Sequence, residues 1–481
     1  MISRLLTILF LTGLASPLLA QDAKPDAAKS KEVVTYKDHV APILRKHCSN
    51  CHNPDKATSD LNVMTYQTLM AGGSSGEAIA AGSPDSSRLY KAVAHIEEPF
   101  MPPKSPKISE TELAVIKKWI ELGAPETAAS AAKNSTRKVE LDLAAVSTGK
   151  PDGPPPMPEK LEEVSLPHTS RPHPVTAMAA SPWAPLLAVA SHERILLYNT
   201  DDLKLIGTLP FPERIPYVLK FSRNGKVLLA AGGHGAESGK VVLFDITAGK
   251  RLTEIGDESD AILAADISPN QKFVALGGPG KIVKVYDTAT GELKHRMKKH
   301  TDWITAMEFS PDGNLLATGD RNGGAFLWEA ETGGIVFTLG DHKEAISDLS
   351  WRADSQMLAT SSEDGRVILW YAEDGFPTRT LNATSGGTPI RAPSTRGKPA
   401  GVLAVAYARD GSIATLGRDN TARLWRPDGN LLVKLEGFAD TPSRVVFTHN
   451  SERVIAGDFT GKVRVWSVKD KQLVGELTTN P

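Results

Sequence analysis

The chain has 481 residues, of which 41% are hydrophobic and 23% charged, with 55 basic against 56 acidic side chains. A chain of this length corresponds to two or three domains. The balanced charge does not suggest a nucleic-acid partner, because nucleic-acid-binding proteins carry an excess of basic surface.

Residues 1–20 have the pattern of a secretory signal peptide. A short basic segment at Met1–Arg4 precedes an apolar run at Leu5–Leu14. We predict cleavage between Ala20 and Gln21. Retention as a membrane anchor is the alternative, but the apolar run is short for crossing a bilayer. The sequence therefore predicts export, to the periplasm or beyond, with no stable membrane span after cleavage.

The two cysteines of the chain, Cys48 and Cys51, are followed directly by His52. This C-x-x-C-H spacing is typical of covalent haem c, in which both thiols form thioethers and the His is the proximal iron ligand. A local disulfide, a thioredoxin-like redox pair and half of a zinc site are the alternatives. A zinc site needs a second ligand pair and a redox pair needs a βαβ pattern, and the sequence has neither. The motif therefore predicts one covalently bound haem, which is attached outside the cytoplasm.

Helical patterns surround this motif. The spacing of apolar residues predicts a helix over Tyr36–Lys46, with Pro42 in its first turn or at a kink. It predicts a second helix over Ser86–Ile96. A third helix is expected to begin at the capping box Ser109–Glu112 and to stop near Gly123. The apolar stripe of this third helix comprises Leu113, Ile116, Trp119 and Ile120. The pattern predicts a small all-α domain over residues 31–125.

The haem iron needs a sixth ligand or an open site. Met101 precedes Pro102–Pro103, and a stiff proline segment suits a thioether presented at fixed reach. His95 at the end of the second helix is an alternative ligand, although a His there also suits the helix C-terminus. We interpret Met64 and Met70 as haem-pocket or core residues. The residue pattern favours Met101 and leaves His95 and an open site as alternatives.

Residues 33–125 resemble the planctomycete-type cytochrome c domain, a class I-like c-type cytochrome module of exported bacterial proteins. The resemblance implies thioether anchors at Cys48 and Cys51, His52 as proximal ligand and Met101 as distal ligand. A Gly often follows the haem His in this family, whereas this chain has Asn53. The matching stretches are Val40–Leu44, Cys48–His52, Leu69–Gly73, Gly82–Pro84, Ser87–Leu89, Met101–Lys104 and Trp119–Pro125.

A change of composition marks residues 126–172, which are rich in Ala, Ser, Lys and Pro. The run Pro151–Pro158 at their centre favours polyproline II structure. We therefore predict a semi-rigid linker.

Residues 173–478 repeat. Each unit is expected to end in an apolar strand that carries an aromatic residue at a fixed place. These aromatics are spaced by 41–46 residues, with one spacing of 55. Such a period, with four short strands per unit, indicates a WD40-type β-propeller. The aromatics are Tyr198, Phe244, Tyr286, Trp328, Trp370, Trp425 and Trp466.

The resemblance to WD40 repeats covers about 300 residues and implies seven blades. It also implies a buried hydrogen-bond network in the fifth blade, formed by His342, Thr360, Asp364 and Trp370. These residues then have a structural rather than a catalytic role. The wide spacing marks a basic insertion at Thr384–Gly401, which is either a flexible loop or a partner-docking element.

The sequence thus predicts a multidomain protein, a small all-α cytochrome c-like domain followed by an all-β seven-bladed propeller. We expect an exported monohaem cytochrome that transfers single electrons, with the propeller as a docking scaffold for redox protein partners. The propeller shows no nucleophile–base pair or phosphate loop, so an electron carrier is expected rather than an enzyme. The alternatives are a haem–propeller oxidoreductase with a substrate or second cofactor in the propeller, and a haem-based sensor.

Overall fold

The computed structural model describes residues 34–54, 56–74, 76, 78–103, 105–127, 149–151, 153–159, 161, 172–384 and 400–481. The predicted signal peptide lies outside these residues, as do most of the predicted linker and nearly all of the insertion. The chain divides into two compact units, Met1–Ser135 and Thr136–Pro481. Within the described part of the chain, no helix combines the length and apolar character that a membrane crossing needs.

The first unit is helical. Among its described residues, one π-turn and two 3₁₀ turns accompany four α-helices. The π-turn is Tyr36–Val40, and the 3₁₀ turns are Thr58–Asp60 and Pro84–Ser86. The helices are α1 (Ala41–Cys48), α2 (Tyr66–Ala71), α3 (Arg88–Val93) and α4 (Glu110–Glu121).

The first and third predicted helices are present, and the second is shorter than predicted. Pro42 lies in the first turn of α1, where its missing N–H costs no hydrogen bond. The predicted helix over Ser86–Ile96 is α3 alone. A 3₁₀ turn occupies its expected start, and His95 adopts a left-handed conformation (φ 57°) just beyond its end.

Helix α4 organises the core of this unit. Ser109 and Glu112 form the predicted capping box. The predicted stripe is buried, and Trp119 at its centre is fully buried and donates its indole N–H to the Pro125 carbonyl oxygen (2.9 Å). Tyr36 packs against Trp119 with ring centroids 6.1 Å apart. One apolar core thus joins α4 to the segment that leads into α1.

The described residues of the second unit form a propeller of 28 strands in seven four-stranded antiparallel sheets, each built from four consecutive strands. The first strands of the blades line a central channel. The strands of blades one to four are β1 (Met178–Ala180), β2 (Leu186–Ser191), β3 (Arg194–Asn199), β4 (Leu205–Pro210), β5 (Ile215–Phe221), β6 (Val227–His234), β7 (Ser238–Asp245), β8 (Lys250–Glu258), β9 (Ala264–Ile267), β10 (Phe273–Gly277), β11 (Val283–Asp287), β12 (Leu293–Met297), β13 (Ile304–Phe309), β14 (Leu315–Asp320), β15 (Ala325–Glu329) and β16 (Ile335–Leu339). Those of blades five to seven are β17 (Ile346–Trp351), β18 (Met357–Ser362), β19 (Arg366–Tyr371), β20 (Pro377–Asn382), β21 (Val402–Tyr407), β22 (Ile413–Gly417), β23 (Thr421–Trp425), β24 (Leu431–Leu435), β25 (Pro442–Phe447), β26 (Arg453–Asp458), β27 (Lys462–Ser467) and β28 (Leu473–Thr478).

The repeating aromatics mark the seven blades, as expected. Each aromatic lies on the third strand of its blade, and a fourth, outer strand follows. A sequence repeat that ends in the aromatic strand therefore includes the outer strand of the preceding blade and the first three strands of the next. Outer strands such as β20 are mostly exposed, so they lack the apolar pattern that reveals an inner strand.

The ring closes between blades one and seven without a strand exchanged between them. Val175 N–H donates to the Asp458 carbonyl oxygen (3.2 Å), and the Ser443 hydroxyl donates to the Val175 carbonyl oxygen (2.6 Å). The Thr479 hydroxyl donates to the His173 carbonyl oxygen (2.6 Å). The segment that precedes β1 therefore holds the two ends of the ring together.

Part of the predicted linker packs on this propeller. Met157 and Leu161 contact the apolar core shared by blades one and two, and the Glu159 N–H donates to the Thr247 carbonyl oxygen (3.0 Å). The C-terminal part of the proline-rich run is thus attached to the second unit.

The fifth blade contains the expected buried network. His342 contacts Asp364 through Nδ1 (3.0 Å) and Thr360 through Nε2 (2.7 Å). The Trp370 indole N–H donates to the Thr360 hydroxyl (2.9 Å). With Nδ1–H donating to the carboxylate, Nε2 accepts from the hydroxyl. The chain Trp–Thr–His–Asp is then fully hydrogen-bonded.

The fourth blade builds the same network from a different position. His300 contacts Thr318 (2.8 Å) and Asp320 (2.9 Å), and the Trp328 indole N–H donates to the Thr318 hydroxyl (2.8 Å). The carboxylate comes from the second residue after the Thr, whereas in blade five it comes from the fourth. In both blades the His is buried and structural.

Candidate functional site

The C-x-x-C-H motif forms a turn that continues α1. Cys48 is the last residue of the helix, and its carbonyl oxygen accepts the N–H groups of Cys51 (3.2 Å) and His52 (3.0 Å). The Asn53 side-chain N–H donates to the Ser49 carbonyl oxygen (2.8 Å). Both cysteines are free thiols, so the local disulfide is not formed.

The two thiols have different surroundings. Cys48 is half-buried against the apolar core of the unit, whereas Cys51 is exposed. Burial, with a smaller effect from Cys51, raises the pKa of the Cys48 thiol to about 11. A redox-active C-x-x-C pair needs a lowered thiol pKa. The environment of Cys48 therefore disfavours a thioredoxin-like role.

His52 is oriented by a single backbone acceptor. Its Nδ1 lies 3.2 Å from the Leu61 carbonyl oxygen, and only a protonated nitrogen can donate to a carbonyl. Nδ1 therefore carries the proton, and Nε2 keeps the lone pair that binds a metal. The His52 carbonyl oxygen accepts from the Val63 N–H (3.0 Å), which fixes the turn after the motif.

Met101 lies in the loop between α3 and α4. Its side chain is half-buried and packs against the same core as Cys48. Its N–H donates to the Ala92 carbonyl oxygen near the end of α3 (3.0 Å). The structure thus places one cysteine of the motif and the predicted distal ligand on a common apolar core.

His95 holds the backbone of this loop. Its Nε2 lies 3.3 Å from the Met101 carbonyl oxygen, and its ring stacks on Phe100 with centroids 5.1 Å apart. The ring is thus engaged with the residues that present Met101. Of the other two methionines considered, Met70 packs against the core and Met64 is half-buried.

One residue of this region was not predicted from the sequence as part of the site. Glu112 accepts a hydrogen bond from Lys46 (2.9 Å) and contacts His47 (3.2 Å), the residue before Cys48. Hydrogen bonds from Lys46, Ser109 and His47 lower the pKa of Glu112 to about 2. The capping residue of α4 therefore also fixes the end of α1 that carries the cysteine motif. A capping box in sequence indicates only the first of these two roles.

Among the described residues, no group of three or more His, Cys, Asp or Glu side chains could hold a metal ion. The predicted ligands His52 and Met101 are not such a group, because Met is not one of these four residue types.

Comparison with known proteins identifies both units. Residues 48–105 match the family model described as Planctomycete cytochrome C. Residues 291–329 and 333–371 match the model described as WD domain, G-beta repeat. Each of these matched segments contains the outer strand of one blade and three strands of the next. The chain therefore combines a domain of the planctomycete cytochrome c type with a seven-bladed WD40-type propeller, a fold that generally mediates protein interactions.

Among curated proteins, the chain is similar to the Angio-associated migratory cell protein of Homo sapiens and of Canis lupus familiaris. The identity is 39% over 61 residues in each comparison. The match spans 12% of this chain and 14% of each relative. It is therefore limited to a short segment and does not extend to the whole relatives.

Proposed function

We propose that this protein is an exported monohaem c-type cytochrome that transfers single electrons. The observation that carries the proposal is the turn at Cys48–His52. It offers two free thiols and a His whose Nδ1–H is already committed to a backbone carbonyl. The matching cytochrome family model supports the same interpretation.

The residues of the turn fit a covalently attached haem. Cys48 and Cys51 would form the thioethers, His52 would be the proximal ligand through Nε2, and Met101 the distal ligand. When bound, haem supplies one-electron exchange between Fe(II) and Fe(III), and His/Met ligation raises its reduction potential. The chain itself contributes the orientation of His52, the apolar packing around Cys48 and Met101, and the clamp of Glu112 on α1.

We propose that the propeller serves as the docking scaffold for a redox protein partner. This proposal is supported by the WD40-type architecture of the propeller. Its buried histidines, His300 and His342, have a structural role in the blades and need no catalytic one. Export is supported by the N-terminal sequence pattern and by the cytochrome type. N-terminal sequencing of the exported protein tests it, and we expect Gln21 as the first residue.

The decisive experiment is a visible spectrum of the exported protein, oxidised and reduced, with and without carbon monoxide. A covalent low-spin haem that does not bind carbon monoxide supports the electron-carrier function. An iron that binds carbon monoxide readily contradicts it and favours a sensor or a catalyst. If no covalent haem forms in a host with a competent maturation system, the haem assignment is wrong.

Two methionine variants separate ligation from packing. Met101 and Met70 are both half-buried and pack on the same core. Met101→Leu should therefore lose the Met–iron absorption band and gain carbon monoxide binding, because leucine preserves the volume but removes the sulfur. Met70→Leu is the matched control and should leave the spectrum unchanged. Equal spectra for the two variants would exclude Met101 as ligand.

A further inference from the structure

The turns between the first and second strands of the blades share one geometry. In six of the seven, a backbone N–H donates to the carbonyl oxygen five residues later, as for Ser222 and Val227 (2.8 Å). In blade six the turn is one residue shorter, from Ala408 to Ser412 (2.8 Å). The residue that directly follows the N–H donor therefore holds an equivalent position in every blade. These residues are Pro182, Arg223, Pro269, Pro311, Ala353, Arg409 and His449.

Three of the seven equivalent positions are basic. Proline suits this position because its fixed φ is the one that the turn needs. Arg223, Arg409 and His449 are not required by the turn and belong to blades two, six and seven. Since blade seven closes onto blade one, these blades are separated only by blade one around the ring. The three basic residues therefore share one side of the channel mouth.

The two arginines reach across this mouth. Arg409 donates to the Pro182 carbonyl oxygen of blade one (2.7 Å), and its guanidinium carbon lies 4.0 Å from the Trp183 ring centroid. Arg223 extends towards blade five, with Nη2 3.5 Å from the Ala353 carbonyl oxygen. All of these residues line the channel cavity of about 390 Å³, a volume suited to a small ligand.

Within the part of the chain that the structure describes, the charges of Arg223 and Arg409 have no ion-pair partner, and Glu308 acts on Arg223 only from beyond ion-pair distance. By contrast, Arg352 in the equivalent turn of blade five pairs with Asp354 (2.8 Å), and Lys220 inside the channel pairs with Glu308 (2.9 Å). Arg223 and Arg409 thus differ from these neighbours in having no carboxylate within ion-pair distance among the described residues.

Two buried polar atoms at the mouth also lack a hydrogen-bond partner among the described residues, Nε of Arg223 and Nδ1 of His449. A buried polar group without a partner costs about 1–3 kcal/mol. Burial and, to a smaller extent, repulsion by the guanidinium of Arg409 lower the pKa of Arg223 against the attraction of Glu308. An anion between them would relieve the repulsion and could satisfy the free atoms.

We propose that this channel mouth binds a small free oxyanion ligand through the guanidinium groups of Arg223 and Arg409, with His449 as a third polar contact. The planar fork of arginine matches the two oxygens of a carboxylate or phosphate. Trp183 connects the two arginines, because its ring lies under Arg409 and its indole N–H donates to the Arg223 carbonyl oxygen (2.8 Å). The site is independent of the haem assignment.

Isothermal titration calorimetry of the full-length protein tests the proposal, with citrate and inorganic phosphate as separate probes at low ionic strength. We expect saturable binding of at least one probe, at one site per chain. Arg223→Gln and Arg409→Gln should each weaken it by at least about tenfold, the loss of one charge-assisted contact. Arg352→Gln is the matched control, since it removes an arginine from an equivalent turn, and it should bind as the wild type does.

Thermal unfolding of each variant distinguishes loss of the site from loss of the fold. Arg409→Lys provides a second check, because it keeps the charge but not the fork, and we expect intermediate affinity. The proposal is overturned if neither probe saturates, or if the Arg352→Gln protein loses affinity to the same extent. Binding of a Glu-rich peptide without binding of citrate or phosphate would also overturn it, in favour of a protein-docking surface.

Discussion

Replacing Asp364 with Ala tests whether the buried network holds blade five together. The carboxylate accepts from His342 Nδ1 (3.0 Å), from Arg366 Nη2 (2.7 Å) and from the Lys343 N–H (3.1 Å). A hydrogen bond to a charged group contributes about 1.5–3 kcal/mol, and an unpaired buried donor costs about 1–3 kcal/mol. The His342 side chain is fully buried, whereas Arg366 is 31% exposed and can turn to water. We therefore expect a loss of about 3 kcal/mol in the stability of this blade.

Hydrogen exchange measures this loss locally. A chain with two compact units is not expected to unfold in one step, so a single free energy of unfolding is not well defined. For amides of β18 and β19 that exchange by local opening, about 3 kcal/mol corresponds to exchange on the order of a hundredfold faster. The cytochrome unit provides an internal reference and should be unaffected.

The matched control is Asp354→Ala in the same blade. Asp354 also pairs with an arginine, but its side chain is 46% exposed. An exposed pair contributes about 0–1 kcal/mol, so exchange should rise less than about fivefold. If Asp364→Ala and Asp354→Ala accelerate exchange equally, the network is not what stabilises the blade, and the structural interpretation of His342 fails.

Three further predictions concern acid stability and the cytochrome unit. Burial raises the pKa of Asp320 and of Asp364, but hydrogen bonds from His300 and His342 outweigh it, and both pKa values are lowered. The two carboxylates contribute their full stabilisation of the fold above the pKa of an unfolded Asp, about 3.9. This contribution is lost as the pH falls through their lower pKa values in the folded protein. The thermal transition of the propeller should therefore drop below about pH 4, and Asp364→Ala should flatten that dependence. Asparagine tolerates the left-handed backbone at position 95, so His95→Asn removes the ring without straining the chain. If His95 positions the Met101 loop as the proposed function requires, this variant should weaken the Met–iron band. The thermal transition of the unit should change little. Glu112→Ala should destabilise the cytochrome unit by about 1–2 kcal/mol at pH 7 and by less near pH 2, as measured by calorimetry of its thermal transition.

The propeller was largely predictable because its repeat provides many copies of one signal. The spacing of the repeating aromatics predicted seven blades, and every aromatic lies on the third strand of its blade. The outer strands are harder to predict, because their exposure removes the apolar pattern. The role of Asp320 was also missed. Its position in blade four is two residues earlier than that of Asp364 in blade five, yet its carboxylate contacts the equivalent nitrogen, Nδ1 of His300. Sequence register alone does not show that two backbone paths converge.

The cytochrome unit was predictable where local chemistry decides the structure. The capping box at Ser109 and the stripe of α4 depend on residues close in sequence, and both are present. The contacts of Glu112 with Lys46 and His47 join residues more than sixty positions apart. No periodicity marks such a contact, and only the packing of α1 on α4 reveals it.

Within a repeat, comparison among equivalent positions separates structural residues from candidate functional ones. His300 and His342 recur with the same partners, so their burial and hydrogen bonds are explained by the blade itself. Arg223 and Arg409 replace a turn residue that is proline in three other blades, and the turn does not need their charge. A residue that departs from its equivalents and leaves a buried donor without a partner is the better candidate for function. By this criterion the channel mouth, rather than the buried histidines, is where a propeller ligand should be sought.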